Sequence, residues 1–183
     1  VEDAVRMGCV AVGMTIYHGS THMRDMYETA RALIADARRA GLLVVVWSYP
    51  RGSGIGGKEA DTAVDIVSYA VHVAAQLGAH IIKCKPPTAV VALPDYVKRD
   101  LYKNVPIATL ADRIQLVVQA AFSGHRLVIN SGGENRNIPA VLEEIRQLKL
   151  GGSHGSIMGR NSFQRPHDEA VNLLHQVQDI FLQ

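Results

Sequence analysis

Two lysines close the run Ile81-Ile-Lys-Cys-Lys85. Alternate side chains of a strand share a face, so Lys83 and Lys85 point one way with Ile81 below them, while Ile82 and Cys84 point the other. A lysine held partly out of water beside a second cation is pushed toward its neutral form. A neutral amine is the nucleophile that Schiff-base chemistry on a ketone requires. The plainer alternative is a strand end with two solvated lysines, since clustered charges also occur outside active sites. Trp47-Ser-Tyr49 repeats the alternation and is followed at once by Pro50-Arg-Gly52. A phenol beside a cationic pocket can pass a proton, although an aromatic at a strand end can equally be a packed rim residue. Ser131-Gly-Gly133 and Gly159-Arg160-Asn161 end two further runs. Their glycine N–H groups, the start of a following helix and the Arg160 fork suit a phosphate, or else they are two ordinary strand-to-helix turns.

These groups are delivered by a repeating unit: a short apolar run, a polar or glycine-rich loop, then an amphipathic helix. The runs are Val10–Tyr17, Leu42–Tyr49, His80–Lys85, Arg126–Ser131 and Ser156–Met158. The expected helices are Met23–Ala40, Asp61–Leu77, Ala111–Ser123, Ile138–Leu148 and Asp168–Leu182. Gly41, Gly78, Gly124 and Gly151 stand as stops after the first four. Strict alternation predicts a parallel sheet. An open doubly wound sheet could be complete with five strands, whereas a TIM barrel uses eight units of about 31 residues. Thr15, Tyr17, Trp47, Tyr49, Lys83, Lys85, Asn130, Ser131, Gly159 and Arg160 all fall at the carboxyl ends of the runs. Five strands feeding one rim favour a TIM (β/α)8 barrel, of which the 183 residues cover about the last five βα units. Residues 1–183 read as one domain, with Pro86 to Ala108 as a long loop carrying a basic patch at Lys98, Arg99 and Lys103. The opening Val1-Glu-Asp-Ala-Val-Arg-Met-Gly8 reads as a helix end, so N-terminal barrel units are expected upstream.

Hydrophobic residues make up 48% and charged residues 20%, which suits a globular chain, and a net charge of +2 argues against nucleic acid as a partner. No apolar run is long enough for a bilayer. Cys9 and Cys84 make neither a disulfide framework nor a zinc spacing, which suits a reducing cytoplasm. The eight histidines show no metal-ligand spacing, so no metal is expected. Gly52-Ser-Gly-Ile-Gly-Gly57 satisfies G-x-G-x-x-G, but a dinucleotide site needs an acidic residue at the end of the next strand, where Lys83 and Lys85 stand. A flexible loop over the site is the better reading of these glycines.

Five collinear segments carry a family resemblance: Ala11-Val-Gly-Met-Thr-Ile-Tyr-His-Gly-Ser20, Trp47-Ser-Tyr-Pro-Arg-Gly52, Leu77-Gly-Ala-His-Ile-Ile-Lys83, Ile129-Asn-Ser-Gly-Gly133 and Gly155-Ser-Ile-Met-Gly-Arg-Asn161. The chain resembles the archaeal and bacterial type of class I fructose-1,6-bisphosphate aldolase over its full length. The resemblance implies a TIM barrel, usually oligomeric, that needs no cofactor or metal and takes a phosphorylated sugar. It places Lys83 as the Schiff-base lysine, with Lys85 the other candidate, Tyr49 as general acid/base and Trp47 beside it. It assigns Ser131, Gly132, Gly159 and Arg160 to the loops that hold a phosphate, and adjacent Gly133 is read with them. An acidic residue and a histidine on the family's first strand have no counterpart here. Related Schiff-base aldolase, transaldolase or thiolase chemistry is the alternative within the fold, and a non-catalytic assembly subunit or inactive fragment the alternative outside it.

Overall fold

The computed structural model describes residues 1–132 and 136–183. Five strands, β1 (Ala11–Tyr17), β2 (Leu43–Tyr49), β3 (Ile81–Cys84), β4 (Leu127–Ser131) and β5 (Ser156–Ile157), pair in parallel in that spatial order. The helices between and after them are α1 (Glu2–Arg6), α2 (Met23–Arg39), α3 (Val64–Leu77), α4 (Pro94–Lys98), α5 (Leu110–Ala120), α6 (Ile138–Leu150), α7 (Arg160–Phe163) and α8 (His167–Leu182). Each unit therefore adds its strand beside the last, with no reversal of order such as a doubly wound sheet has at its switch point.

One face of the sheet is covered. Val44, Val46, Ile82 and Val128 point to it and form a single apolar core with Ile34 of α2, Val67 and Val71 of α3, and Val117 of α5. A second cluster joins Ile114 of α5 to Ile145 and Leu148 of α6 and Leu173 of α8. Each such side chain contributes about 1.5–3 kcal/mol by leaving water. The opposite face carries Val45, Trp47, Tyr49, Ile81, Lys83, Ile129 and Ser131, all half-buried, while Leu43, Leu127 and Ile157 on that face are exposed. Helices on one face and an uninterrupted strand order give the barrel-type α/β arrangement rather than the open sheet. Among the described residues no helix is long and apolar enough to cross a membrane.

Three boundaries differ from expectation, each for a local reason. Helix α3 starts at Val64, because Ala63 is extended and bridges Thr88 after a 3-10 turn at Ala60–Thr62. The long loop after β3 contains α4, opened by Pro94, whose fixed φ suits a first helical position. The left-handed residue after α6 is Gly152 (φ 90°), not Gly151. Gly151 is instead needed for close approach, since a Cβ there would lie 2.5 Å from the Ala111 carbonyl oxygen.

Candidate active site

Register brings Thr15, Trp47, Lys83 and Ile129 into one row across four strands. The Trp47 ring lies against Gly13 of β1, where a Cβ would come within 2.4 Å of Cζ3. Lys83 extends beside that ring, with Nζ 5.7 Å from its centroid. Burial lowers the Lys83 pKa from its ordinary value, because desolvation penalises the ammonium. The second cation anticipated from the sequence is not the cause.

Tyr49 pairs in register with Tyr17 one row nearer the loops. Burial raises the Tyr49 pKa, and the Arg51 guanidinium, 5.4 Å from the ring centroid, acts in the opposite direction. The phenol is therefore protonated at neutral pH and has a proton to donate.

Both residues open onto a cavity of about 480 Å³ at the carboxyl ends of the strands. Lys85, Ser131, Gly132, Gly159 and Arg160 also line it, so the expected groups from β2, β3, β4 and β5 converge. Trp47 is not in the lining and reaches the site through Lys83. Gly133 lies outside the described residues. The Gly132 N–H is not presented to the cavity as the paired glycines suggested, because it donates to the Ile157 carbonyl at 3.1 Å and so prolongs the β4–β5 ladder.

Sequence reasoning missed Arg51, Thr62, Arg136, Glu144 and Phe163, which line the same space. Arg51 had a signal, standing two residues beyond Tyr49. Arg136 and Glu144 had none: Arg136 follows β4 by five residues and is held by Glu144 of α6 at 2.7 Å. The cavity thus gathers Arg51, Lys83, Lys85, Arg136 and Arg160 around one carboxylate, a field that favours an anion. Among the described residues no three His, Cys, Asp or Glu side chains come together as metal ligands.

The G-x-G-x-x-G segment is used for backbone contact. The Gly19 N–H donates to the Arg51 carbonyl at 2.9 Å, and the Gly54 N–H to the Gly19 carbonyl at 3.0 Å. A Cβ on Gly52 (φ 131°) would lie 2.0 Å from the Gly19 oxygen. The glycines let the loops after β1 and β2 touch, and so set the position of Arg51.

Behind the sheet, the Tyr27 hydroxyl donates to His18 Nδ1, His18 Nε2 to Ser48 Oγ, and Ser48 to the Ala70 carbonyl, at 2.7, 2.7 and 2.9 Å. The Ser–His contact resembles an activated nucleophile. Ser48 is fully buried, however, and its proton is committed to Ala70. Burial drops the His18 pKa to about 4 and pushes Tyr27 to about 12. The network is a neutral tie joining β1, α2, β2 and α3.

Fold and site define a barrel-type α/β protein whose cationic cavity opens at the carboxyl ends of its strands. The chain belongs to the DeoC/LacD family of aldolases, whose description matches residues 1–165. It is 36% identical to a "Probable fructose-bisphosphate aldolase class 1" of Chlamydia muridarum, covering 100% of this chain and 55% of that protein. It is 30% identical to the "Fructose-bisphosphate aldolase/6-deoxy-5-ketofructose 1-phosphate synthase" of Methanocaldococcus jannaschii, covering 95% and 49%. Among solved structures it superposes, with a TM-score of 0.79 and 28% identity, on an archaeal fructose-1,6-bisphosphate aldolase whose catalytic lysine is covalently bound to the carbinolamine intermediate of its substrate. That match covers 100% of this chain and 62% of the other. The chain spans about half the length of the curated relatives it matches. Its sheet corresponds to part of a TIM barrel of the aldolase kind.

Proposed function

We propose that the protein carrying this chain is a class I fructose-bisphosphate aldolase, cleaving fructose 1,6-bisphosphate reversibly to dihydroxyacetone phosphate and glyceraldehyde 3-phosphate in glycolysis or gluconeogenesis. The observation that carries the reading is the half-buried Lys83 amine, set beside Trp47 at the mouth of a cavity lined by four other cations. Two phosphates on one sugar suit that field better than one.

In this reading Lys83 adds to the C2 ketone to give a carbinolamine. The Tyr49 phenol protonates the departing hydroxyl, water leaves, and an iminium remains. The iminium accepts the electron pair of the C3–C4 bond as it breaks, and the Tyr49 phenolate takes the proton of the C4 hydroxyl. The aldehyde departs, C3 of the enamine is reprotonated, and hydrolysis frees Lys83. Ser131, Gly132, Gly133, Gly159 and Arg160 are assigned to one phosphate, Gly132 by lining the cavity rather than by its N–H, and this sets C2 in reach of the amine.

The electron sink in this scheme is organic, so turnover should survive excess EDTA. Loss of activity on chelation, restored by zinc, would overturn the Schiff-base route. A second reading, a related Schiff-base reaction on another phosphorylated ketone, draws support from the double name of the Methanocaldococcus jannaschii relative. Product analysis with a panel of aldehyde acceptors separates the two.

A further inference from the structure

The loops after β4 and β5 meet at the cavity, and one buried side chain joins them. Asn161, with no exposed surface, donates from Nδ2 to the Gly132 carbonyl at 2.7 Å and accepts at Oδ1 from the Arg136 N–H at 2.9 Å. Gly132 and Arg136 are the two shoulders of the β4 loop. From below, Arg165 Nε donates to the Asn161 carbonyl at 2.6 Å, and Arg165 Nη2 donates to the Arg136 carbonyl. Glu144 then fixes the Arg136 guanidinium in the cavity wall.

Asn161 gives nothing to the cap of its own helix. The N-cap of α7 is Gly159, without a side-chain cap bond. An asparagine inside a helix is unfavourable because its amide competes for backbone groups. Here that competition is turned outward, onto the neighbouring loop. The amide matches these two partners in polarity, donating to the Gly132 carbonyl and accepting from the Arg136 N–H. An aspartate would set a carboxylate against the Gly132 oxygen, and a leucine would leave both backbone groups without this partner.

We infer that Asn161 is the positioning residue of the phosphate site, holding Gly132 and the Arg136 backbone in register with Gly159 and Arg160 so that the Arg136 and Arg160 side chains face a single phosphate. This rests on the phosphate reading given under Proposed function. Binding one anion from two loops requires that both be held before the anion arrives, since ordering them on binding subtracts from affinity.

The test uses the full-length protein and borohydride-dependent adduct formation. Half-saturating concentrations are measured for dihydroxyacetone phosphate and for dihydroxyacetone, which lacks the phosphate, in the wild type and in Asn161→Leu, Asn161→Asp and Arg165→Lys. The expected result is a wild-type preference for the phosphorylated ketone that collapses by about ten-fold or more in both Asn161 variants: leucine removes the bonds to Gly132 and from Arg136, and aspartate keeps the second but replaces the first with repulsion. Arg165→Lys, which keeps its charge and loses the fork, should lower the preference by less. Weaker competition by inorganic phosphate should accompany the loss. Equal losses for both ketones would make Asn161 a purely structural tie and overturn the inference, as would an unchanged preference in a folded variant. A wild type with no preference would instead overturn the phosphate reading. Should neither Asn161 variant fold, Arg165→Lys decides on the same ratio.

Discussion

By alternation alone Lys83 and Lys85 are equivalent, two lysines on one strand face, and it is the family resemblance that favours Lys83; in the structure both line the cavity but from different positions. Lys83 lies in the strand, in the row of Trp47, and burial lowers its pKa. Lys85 falls just beyond Cys84, where β3 ends. Tyr49 is half-buried and burial raises its pKa, so in the proposed reaction its hydroxyl would give and recover one proton. Replacing it with phenylalanine keeps the ring and removes the relay. Tyr49→Phe should slow turnover by roughly 10²- to 10⁴-fold while still allowing the lysine adduct to be trapped. An unchanged turnover number would return Tyr49 to packing. These strand residues were legible because alternation is a period-2 rule that needs no tertiary knowledge. Arg136, Glu144 and Asn161 were not. Their place depends on how α6 and α7 dock, and no local pattern encodes that.

At the scale of elements, the loops matter more than the helices. The long β3–α5 connection reads in sequence as an unusually long loop with four prolines, yet it is tied down at several points, among them Val64 N–H to the Val90 carbonyl at 2.9 Å. Arg113 donates to the carbonyls of Pro87, Ile107 and Ala108, closing the base of the loop. Thr88 N–H donates to the Thr62 carbonyl at 2.7 Å. The buried Asp65 carboxylate at the start of α3 accepts from the N–H groups of Ala92 and Leu93. The same strap steadies Thr62 and Pro86 in the cavity lining. Asp65→Asn turns an amide donor toward backbone donors and should destabilise the strap by about 1–3 kcal/mol. Limited proteolysis should then cut within residues 88–107 faster than in the wild type, and equal cleavage rates would remove Asp65 from this role. The helix starts and stops were legible to within a few residues, because glycine stops and apolar periodicity are local. The tie points were not, because each joins residues more than 20 positions apart, Arg113 with Ile107 and Ala108 excepted.

Across the whole molecule, five βα units place their polar carboxyl ends on one rim and their apolar cores behind the sheet, which is why the fold and the grouping of the rim residues were legible together. The neutral network at His18 makes that arrangement sensitive to acid. His18 titrates near 6.5 when unfolded and near 4 when folded. Between these values the unfolded chain binds the additional proton, so stability is full above about pH 6.5 and falls as the pH drops toward 4. The shift corresponds to about 3 kcal/mol. Melting temperature should therefore decline more steeply over pH 6.5 to 4 in the wild type than in His18→Gln, and parallel profiles would show that His18 is not the titrating group. The proposed chemistry stands on the Lys83 amine in the row of Trp47. The full-length protein should be incubated with dihydroxyacetone phosphate, reduced with borohydride, digested, and its labelled peptide sequenced by mass spectrometry. The predicted result is a single adduct on Lys83, and label on Lys85, or none at all, would contradict it.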